Sequence, residues 1–117
     1  VRMSFKHVGI DMAFKGEGID EIGYVAGVDD TVFEAATGQK NQLSIGQEVV
    51  FVDPKYFRPT EVDLLIGDAT KARTKLGWTP KYKLQDLVTD MMQSDIKVMQ
   101  KETYLKEGGF QTKNYFE

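Results

Sequence analysis

The pattern of apolar positions changes near the start of the chain from a helical to an extended period. Val1, Phe5 and Val8 recur at i, i+4 and i+7, which predicts one apolar face of a helix. Ile10 to Phe14 then alternates apolar and polar residues, and this alternation predicts a strand. Gly9 lies between the two patterns, so we expect it to end the helix.

The middle of the chain has a less regular pattern. Gly16 to Gly23 is rich in glycine and acidic residues and predicts a loop. Tyr24 to Ala36 mixes β-branched and aromatic residues with Gly27, so its pattern leaves helix and strand both open. Glu48 to Asp53 is rich in valine and predicts a strand, which the following proline ends.

The second half of the chain predicts two helices. Asp68 is expected to cap a short helix that Gly77 ends. A long helix is predicted from Leu84 to Tyr104, and its buried stripe is expected to consist of Leu87, Val88, Met91, Ile96 and Met99. We expect the core to be built from Val49, Phe51, Leu76, Trp78, Leu84, Val88 and Met91. The order of helix, two strands, short helix and long helix predicts a small α+β unit.

Composition narrows the classes of function. The 117 residues fit one domain, residues 1–117. A net charge of −3 argues against a nucleic-acid-binding domain, which carries a basic excess. The absence of cysteine and the single histidine exclude disulfides and both thiolate and multi-histidine metal sites, so no metal is expected. No apolar run is long enough for a membrane span and no signal peptide is visible, so we expect a cytoplasmic protein.

The beginning of the chain carries no helix cap. No Ser, Thr, Asp or Asn precedes the first predicted helix, so we expect this chain to be a piece cut from a longer protein. Phosphate-binding glycine loops and nucleophile elbows are also missing from the sequence, so no catalytic or cofactor-binding residue is expected in this chain.

One turn carries residues suited to binding a nucleotide. Arg58 and Glu61 lie three residues apart across a turn that begins with Pro59. A guanidinium makes bidentate hydrogen bonds to phosphate oxygens, and a carboxylate accepts hydrogen bonds from ribose hydroxyls. The alternative is a local Arg58–Glu61 ion pair that braces the turn, and the spacing alone favours this alternative.

The sequence around this turn resembles a known family. The string V-D-P-K-Y-F-R-P-T-E-V-D-L-L-I-G-D-A-T-K-A, followed by K-L-G-W-T-P, is similar to the C-terminal region of the GDP-mannose 4,6-dehydratase family. That family belongs to the extended short-chain dehydrogenases/reductases. The resemblance covers most of the chain except roughly Val25 to Gln47, which is longer than expected. It implies a small α+β substrate-binding domain without the N-terminal Rossmann domain.

The resemblance also implies an activity and roles for three residues. The family converts GDP-mannose to GDP-4-keto-6-deoxymannose with bound NADP, and its NADP-binding and catalytic residues lie in the N-terminal part. The matching arginine contacts the diphosphate and the matching glutamate the guanosine ribose, which implies these roles for Arg58 and Glu61. Arg2 matches a Val-Arg pair of the family and is a third substrate-binding candidate. The chain alone is expected to be inactive, and the full-length protein to be a homo-oligomer.

Two other functions remain open at this point. The nearest alternative is another epimerase or reductase of the same superfamily that acts on a nucleotide sugar. A different class is a non-catalytic nucleotide-sugar-binding or interaction module. The string around Arg58 and Glu61 favours the GDP-mannose enzyme over both.

Overall fold

A computed structural model describes residues 1–60 and 65–111 of the chain. Among these residues, four helices accompany a three-stranded antiparallel sheet with the strand order β1-β2-β3. The elements are α1 (Arg2–His7), β1 (Ile10–Lys15), β2 (Ile22–Val28), α2 (Asp30–Thr37), β3 (Glu48–Phe51), α3 (Thr70–Leu76) and α4 (Leu84–Glu107). This combination of helices with a small antiparallel sheet confirms the α+β class.

The stretch Tyr24 to Ala36, which the sequence left open, divides at Asp29 into the end of β2 and most of α2. Asp29 begins the helix because its Oδ1 accepts a hydrogen bond from the backbone N–H of Val32, at 3.1 Å. The loop predicted from Gly16 to Gly23 is wrong in part, because a 3-10 turn forms at Gly18–Asp20 and β2 begins at Ile22. Cross-strand pairing with β1 and β3 supports this strand despite its glycines.

The core lies between the sheet, α1 and one side of α4. Its buried residues are Val8, Ile10, Met12 and Val25, and the half-buried Met92 and Ile96 of α4 pack against them. The sheet is tightest at Gly23, where an added Cβ would lie 2.9 Å from both the Phe14 ring and the Val50 Cβ. Only glycine allows these two side chains to meet across β2.

The core predicted from the sequence is largely wrong. Phe51, Leu76, Trp78, Leu84 and Met91 are exposed by 48–80%, while Val49 and Val88 are half-buried. Two further residues of the predicted α4 stripe, Leu87 and Met99, are also exposed by 50% or more. For α4 the reason is that its apolar arc is wider than the side that packs, so that only Met92 and Ile96 of this helix pack against the core.

Residues 65–87, which we call the outer segment, are packed very differently. All of them are exposed except Ala69 and Ala72, which are half-buried. Within the outer segment, the Asp68 carboxylate accepts hydrogen bonds from the N–H and hydroxyl of Thr70, at 2.9 and 2.5 Å. The prediction that Asp68 caps α3 is wrong by one residue, because the N-cap position is Ala69 and no side chain makes a cap hydrogen bond there. Gly77 ends α3 at φ 61°, as predicted.

No helix within the described ranges combines the length and apolar character that a bilayer crossing requires.

Candidate functional site

The candidate site is a turn that follows β3 and is built by Asp53. The Asp53 carboxylate accepts a hydrogen bond from the N–H of Lys55 at 2.8 Å. Its backbone carbonyl accepts two more, from the N–H groups of Tyr56 at 3.0 Å and Phe57 at 3.1 Å. Aspartate at the first turn position and proline at the second are the residues that such a turn favours. The turn is therefore fixed by its own sequence.

One aromatic ring connects this turn to the β1–β2 connection. The Phe57 ring lies 3.6 Å from the position that a Cβ on Gly18 would occupy, and Phe57 is 36% exposed. Tyr56 is 72% exposed, and the Lys55 ammonium lies 5.3 Å from the centre of its ring. Phe57 thus anchors the turn, and Tyr56 and Lys55 are left on the surface.

Arg58 follows this anchored turn and is exposed. The ion pairs among the described residues are Lys6–Asp11 and Lys15–Glu48, so no carboxylate of that part of the chain pairs with Arg58. Glu61, the second predicted contact, lies outside the described residues, and so does the alternative Arg58–Glu61 ion pair.

Arg2 makes contacts within its own chain. Its Nη1 donates a hydrogen bond to the carbonyl of Met12 at 2.7 Å, and its guanidinium lies 4.6 Å from the centre of the Phe14 ring. Both partners are on β1, so Arg2 ties the start of α1 to the first strand. Sequence reasoning missed this role, because a contact between residues ten apart leaves no periodic signal.

Two open grooves border Arg2, with volumes of about 480 and 380 Å³. The larger lies between α1, β1 and the start of α4, with Phe14, Leu84 and Val88 on its apolar side and Glu21 at its edge. Arg58 is not among the described residues that border either groove. The structure therefore gives Arg2 and Arg58 separate surroundings.

The outer face of the sheet carries a further charged group. The Lys15 ammonium lies 2.7 Å from the Glu48 carboxylate and 5.8 Å from the centre of the Tyr24 ring. The hydrogen bond and the charge of Glu48 raise the pKa of Lys15. Both side chains are exposed, so this pair is a surface contact across three strands and contributes little to stability.

The glycine-rich loop between β1 and β2 lacks the features of a phosphate-binding loop. The Gly16–Gly18 loop leads from β1 into a 3-10 turn and not into an α-helix, and Glu17, Asp20 and Glu21 surround it with negative charge. Phosphates bind at glycine-rich loops that open a helix, where the N–H groups attract an anion. Within residues 1–60 and 65–111, no three metal-ligating side chains come together.

Comparison with known proteins decides the family. The sequence model of the family described as GDP-mannose 4,6 dehydratase matches residues 1–91, which include Arg2, Arg58 and Glu61. This chain belongs to the GDP-mannose 4,6-dehydratase family. The resemblance seen in the sequence is thereby confirmed, and the match also covers the atypical Val25 to Gln47.

Three relatives in the GDP-mannose 4,6-dehydratase family are much longer than this chain. The chain is similar to proteins named GDP-mannose 4,6-dehydratase from Yersinia enterocolitica (42% identity over 94% of the chain) and Vibrio cholerae (39% over 93%). It is also similar to one from Drosophila melanogaster (44% over 86%). It spans 28%, 27% and 21% of their lengths, about a quarter, and the match lies in their C-terminal part.

Proposed function

We propose that this chain is the substrate-binding part of a GDP-mannose 4,6-dehydratase that converts GDP-mannose to GDP-4-keto-6-deoxymannose. Membership of the family supports the reaction. The observation that carries the binding role is Arg58, an exposed arginine that directly follows a turn fixed by Asp53 and anchored by Phe57. In this proposal the chain holds the GDP moiety, and the chemistry takes place on residues outside it.

Each of the three candidate residues has a defined part in this proposal. Arg58 makes a bidentate, charge-assisted contact with the diphosphate. Glu61 accepts hydrogen bonds from the guanosine ribose. A guanidinium has five N–H donors, and one donor of Arg2 is used by the carbonyl of Met12, so the others are free to contact the substrate. The fixed turn supports this arrangement, because a side chain on a rigid backbone loses less entropy on binding.

The proposal places NADP outside this chain. The family resemblance implies NADP, an extended short-chain dehydrogenase/reductase fold and a Rossmann domain, and the Gly16–Gly18 loop of this chain opens no α-helix that could hold the phosphates of a dinucleotide. We therefore assign NADP, and with it hydride transfer, to an N-terminal Rossmann domain of the longer protein. The chain is the C-terminal domain of that protein, which is homo-oligomeric and cytoplasmic in this proposal.

The two alternatives receive less support. Another nucleotide-sugar epimerase or reductase would share the general fold, yet the three relatives described above are all named GDP-mannose 4,6-dehydratase. A non-catalytic binding module would have to be stable without a further domain. The outer segment of this chain does not favour that function, because it leaves Leu65, Ile66 and Leu76 exposed by 77% or more.

A chimeric enzyme tests the function. The chain replaces the matching C-terminal part of the Yersinia enterocolitica relative, and conversion of GDP-mannose to the 4-keto product is followed with NADP present. We expect the chimera to turn over GDP-mannose, and the isolated chain to show no turnover. A chimera that folds but acts only on a different nucleotide sugar would support the nearest alternative and contradict the proposal.

The same chimera tests Arg58. Arg58→Ala removes a charge-assisted contact worth about 1.5–3 kcal/mol, so KM for GDP-mannose should rise about 10- to 100-fold. Arg73→Ala is the matched control, because Arg73 is also exposed but lies on α3. Equal effects of the two substitutions on KM would show that Arg58 has no specific role in binding.

A further inference from the structure

The turn before Arg58 and the connection between β1 and β2 lie at the same end of the sheet. β2 begins at Ile22, and Ile22 pairs with Phe51, the last residue of β3. Because these two strands are antiparallel, the chain that leads into β2 and the chain that leaves β3 meet at this end. Residues 16–21, which we call the β1–β2 connection, therefore lie beside the turn.

The internal shape of the turn and its orientation on the sheet depend on different contacts. In the described part of the chain, the hydrogen bonds of residues 53–60 all end on Asp53, so they hold the turn together without crossing to the sheet. An apolar contact does cross. Two carbons of the Phe57 ring lie 3.6 and 3.9 Å from the position of an added Cβ on Gly18. Phe57 therefore fixes how the turn is oriented relative to the β1–β2 connection.

The surface that receives the Phe57 ring is itself held in place. Gly18 begins a 3-10 turn, and its carbonyl accepts a hydrogen bond from the N–H of Glu21 at 3.3 Å. The N–H of Asp20 donates to the carbonyl of Glu17 at 3.1 Å. Gly18 has φ 60° and no side chain between its backbone and the ring. Glycine thus meets both requirements of this position, the left-handed backbone and the close approach of an aromatic ring.

We propose that Phe57 is a positioning residue for Arg58, and that its contact with Gly18 sets the affinity of the turn for the diphosphate of the substrate. Phe57 and Arg58 are adjacent, so the anchored backbone leads directly into the arginine. A bidentate contact needs two N–H groups of the guanidinium to face phosphate oxygens, and it is therefore sensitive to orientation. This role of Phe57 rests on the binding function proposed for Arg58.

The surroundings of Phe57 separate this role from a contribution to the fold. Phe57 is 36% exposed, and it is not among the described residues that pack against the core. Its truncation should therefore leave the core intact and change the free energy of unfolding little. Tyr56 provides an internal comparison, because it is an aromatic residue of the same turn but is 72% exposed.

The chimeric enzyme described above tests the role through KM and kcat. Phe57→Ala frees the turn, and ordering it again on binding should raise KM for GDP-mannose about 3- to 10-fold with kcat unchanged. Tyr56→Ala is the matched control and should change neither constant. Phe57→Leu keeps an apolar side chain against Gly18 and should keep KM close to that of the unsubstituted chimera. An unchanged KM with Phe57→Ala, or a loss of active enzyme at unchanged KM, would overturn the proposal.

A double variant shows whether Phe57 acts through Arg58. If it does, Arg58→Ala/Phe57→Ala should have the same KM as Arg58→Ala alone. Multiplied effects of the two substitutions would show that the residues act independently and would overturn the positioning role. An unchanged KM with Arg58→Ala would contradict the binding function itself. A raised KM with Arg58→Ala but not with Phe57→Ala would contradict only the role of Phe57.

The same contact can be tested from the side of Gly18 with Phe57 intact. Asparagine tolerates the left-handed backbone, so Gly18→Asn keeps the connection while its side chain displaces the ring, and KM should rise as it does with Phe57→Ala. Gly77→Asn is the matched control, because Gly77 has φ 61° and no atom within 4 Å of an added Cβ. The labelled chain should show nuclear Overhauser contacts between the Phe57 ring and the Gly18 α protons. Absence of these contacts, or an unchanged KM with Gly18→Asn, would overturn the proposal.

Discussion

The sheet region and the outer segment both carry large apolar side chains, but only the sheet region buries them. Val25 and Ile10 are 0 and 2% exposed between the sheet and its helices. In the outer segment, Ile66 and Leu76 are 77 and 80% exposed. The family-like string is strongest in and beside this segment, where packing within the chain is weakest. Its residue types are therefore explained better by contacts with a substrate or a partner than by the stability of this chain.

The largest expected difference between the two regions concerns core truncation. Ile10→Ala removes a fully buried side chain, and the free energy of unfolding should fall by about 2–5 kcal/mol. Leu76→Ala is the matched change in the outer segment and should alter the free energy of unfolding by less than about 0.5 kcal/mol. Urea denaturation followed by circular dichroism measures both. Equal losses would show that the outer segment is part of the cooperative core.

The glycines of the two regions provide a second test. Gly9 has φ 77°, and an added Cβ would lie 2.8 Å from the carbonyl of Asp29 and 2.9 Å from the Val32 Cβ. Gly9→Ala therefore combines backbone strain with crowding, and should lower the free energy of unfolding by about 2–4 kcal/mol. Gly77 has φ 61° with no atom within 4 Å of such a Cβ.

The control is Gly77→Ala. It adds about 1–2 kcal/mol of backbone strain at the C-terminal end of α3 and no crowding. Because α3 is not packed into the core, this strain should reduce local helicity and leave the urea midpoint unchanged. If Gly77→Ala lowers the midpoint as much as Gly9→Ala does, the two regions unfold together and the contrast drawn between them is wrong.

Local opening should also differ between the regions. Few buried contacts hold α3, so its amides should exchange with deuterium close to the rate of an unfolded chain, whereas those of β2 should be strongly protected. Limited trypsin digestion should cleave first at Lys71, Arg73 or Lys75. Protection of α3 equal to that of β2 would indicate that a partner already covers the outer segment.

The smallest effect concerns the hydrogen bonds between Asp68 and Thr70 at the start of α3. Hydrogen bonds from the hydroxyl and the N–H of Thr70 lower the pKa of Asp68 below its usual value of 3.8. A carboxyl group with a lowered pKa stabilises the helix above that value, and this contribution is lost as the pH falls through the pKa of the folded state. The NMR signals of α3 should therefore shift towards coil in acid, and Asp68→Ala should remove this pH dependence. An unchanged acid transition in the variant would show that another group is responsible.

The helices and strands with a clear hydrophobic period, or with a clear residue signal at their end, could be predicted from the sequence. A strand covers Ile10 to Phe14, and a helix lies between Asp68 and Gly77, as their patterns predict, whereas the strand predicted from Glu48 to Asp53 ends at Phe51. The boundary at Asp29 could not be predicted, because cross-strand pairing of β2 overrides a sequence with two internal glycines. Tertiary contacts decide such ambiguous stretches.

The choice of core residues was the weakest prediction, for a physical reason. Periodicity shows that α4 has an apolar arc, but it does not show which half of the arc meets the sheet. Met91 and Met92 are neighbours in the sequence, and only Met92 packs against the core. For the site, Arg58 is exposed and its binding role stays a prediction, whereas the contact of Arg2 with Met12 depends on the packing of α1 on β1 and has no signal in the sequence.

A GDP titration of the isotope-labelled chain, followed by amide chemical shifts, tests most directly whether this turn binds the nucleotide. We expect saturable shifts centred on residues 53–60, and Arg58→Ala should weaken GDP binding at least about tenfold while Arg73→Ala leaves it unchanged. Shifts centred elsewhere on the chain, or binding that Arg58→Ala does not weaken, would contradict the assignment of the GDP site to this turn.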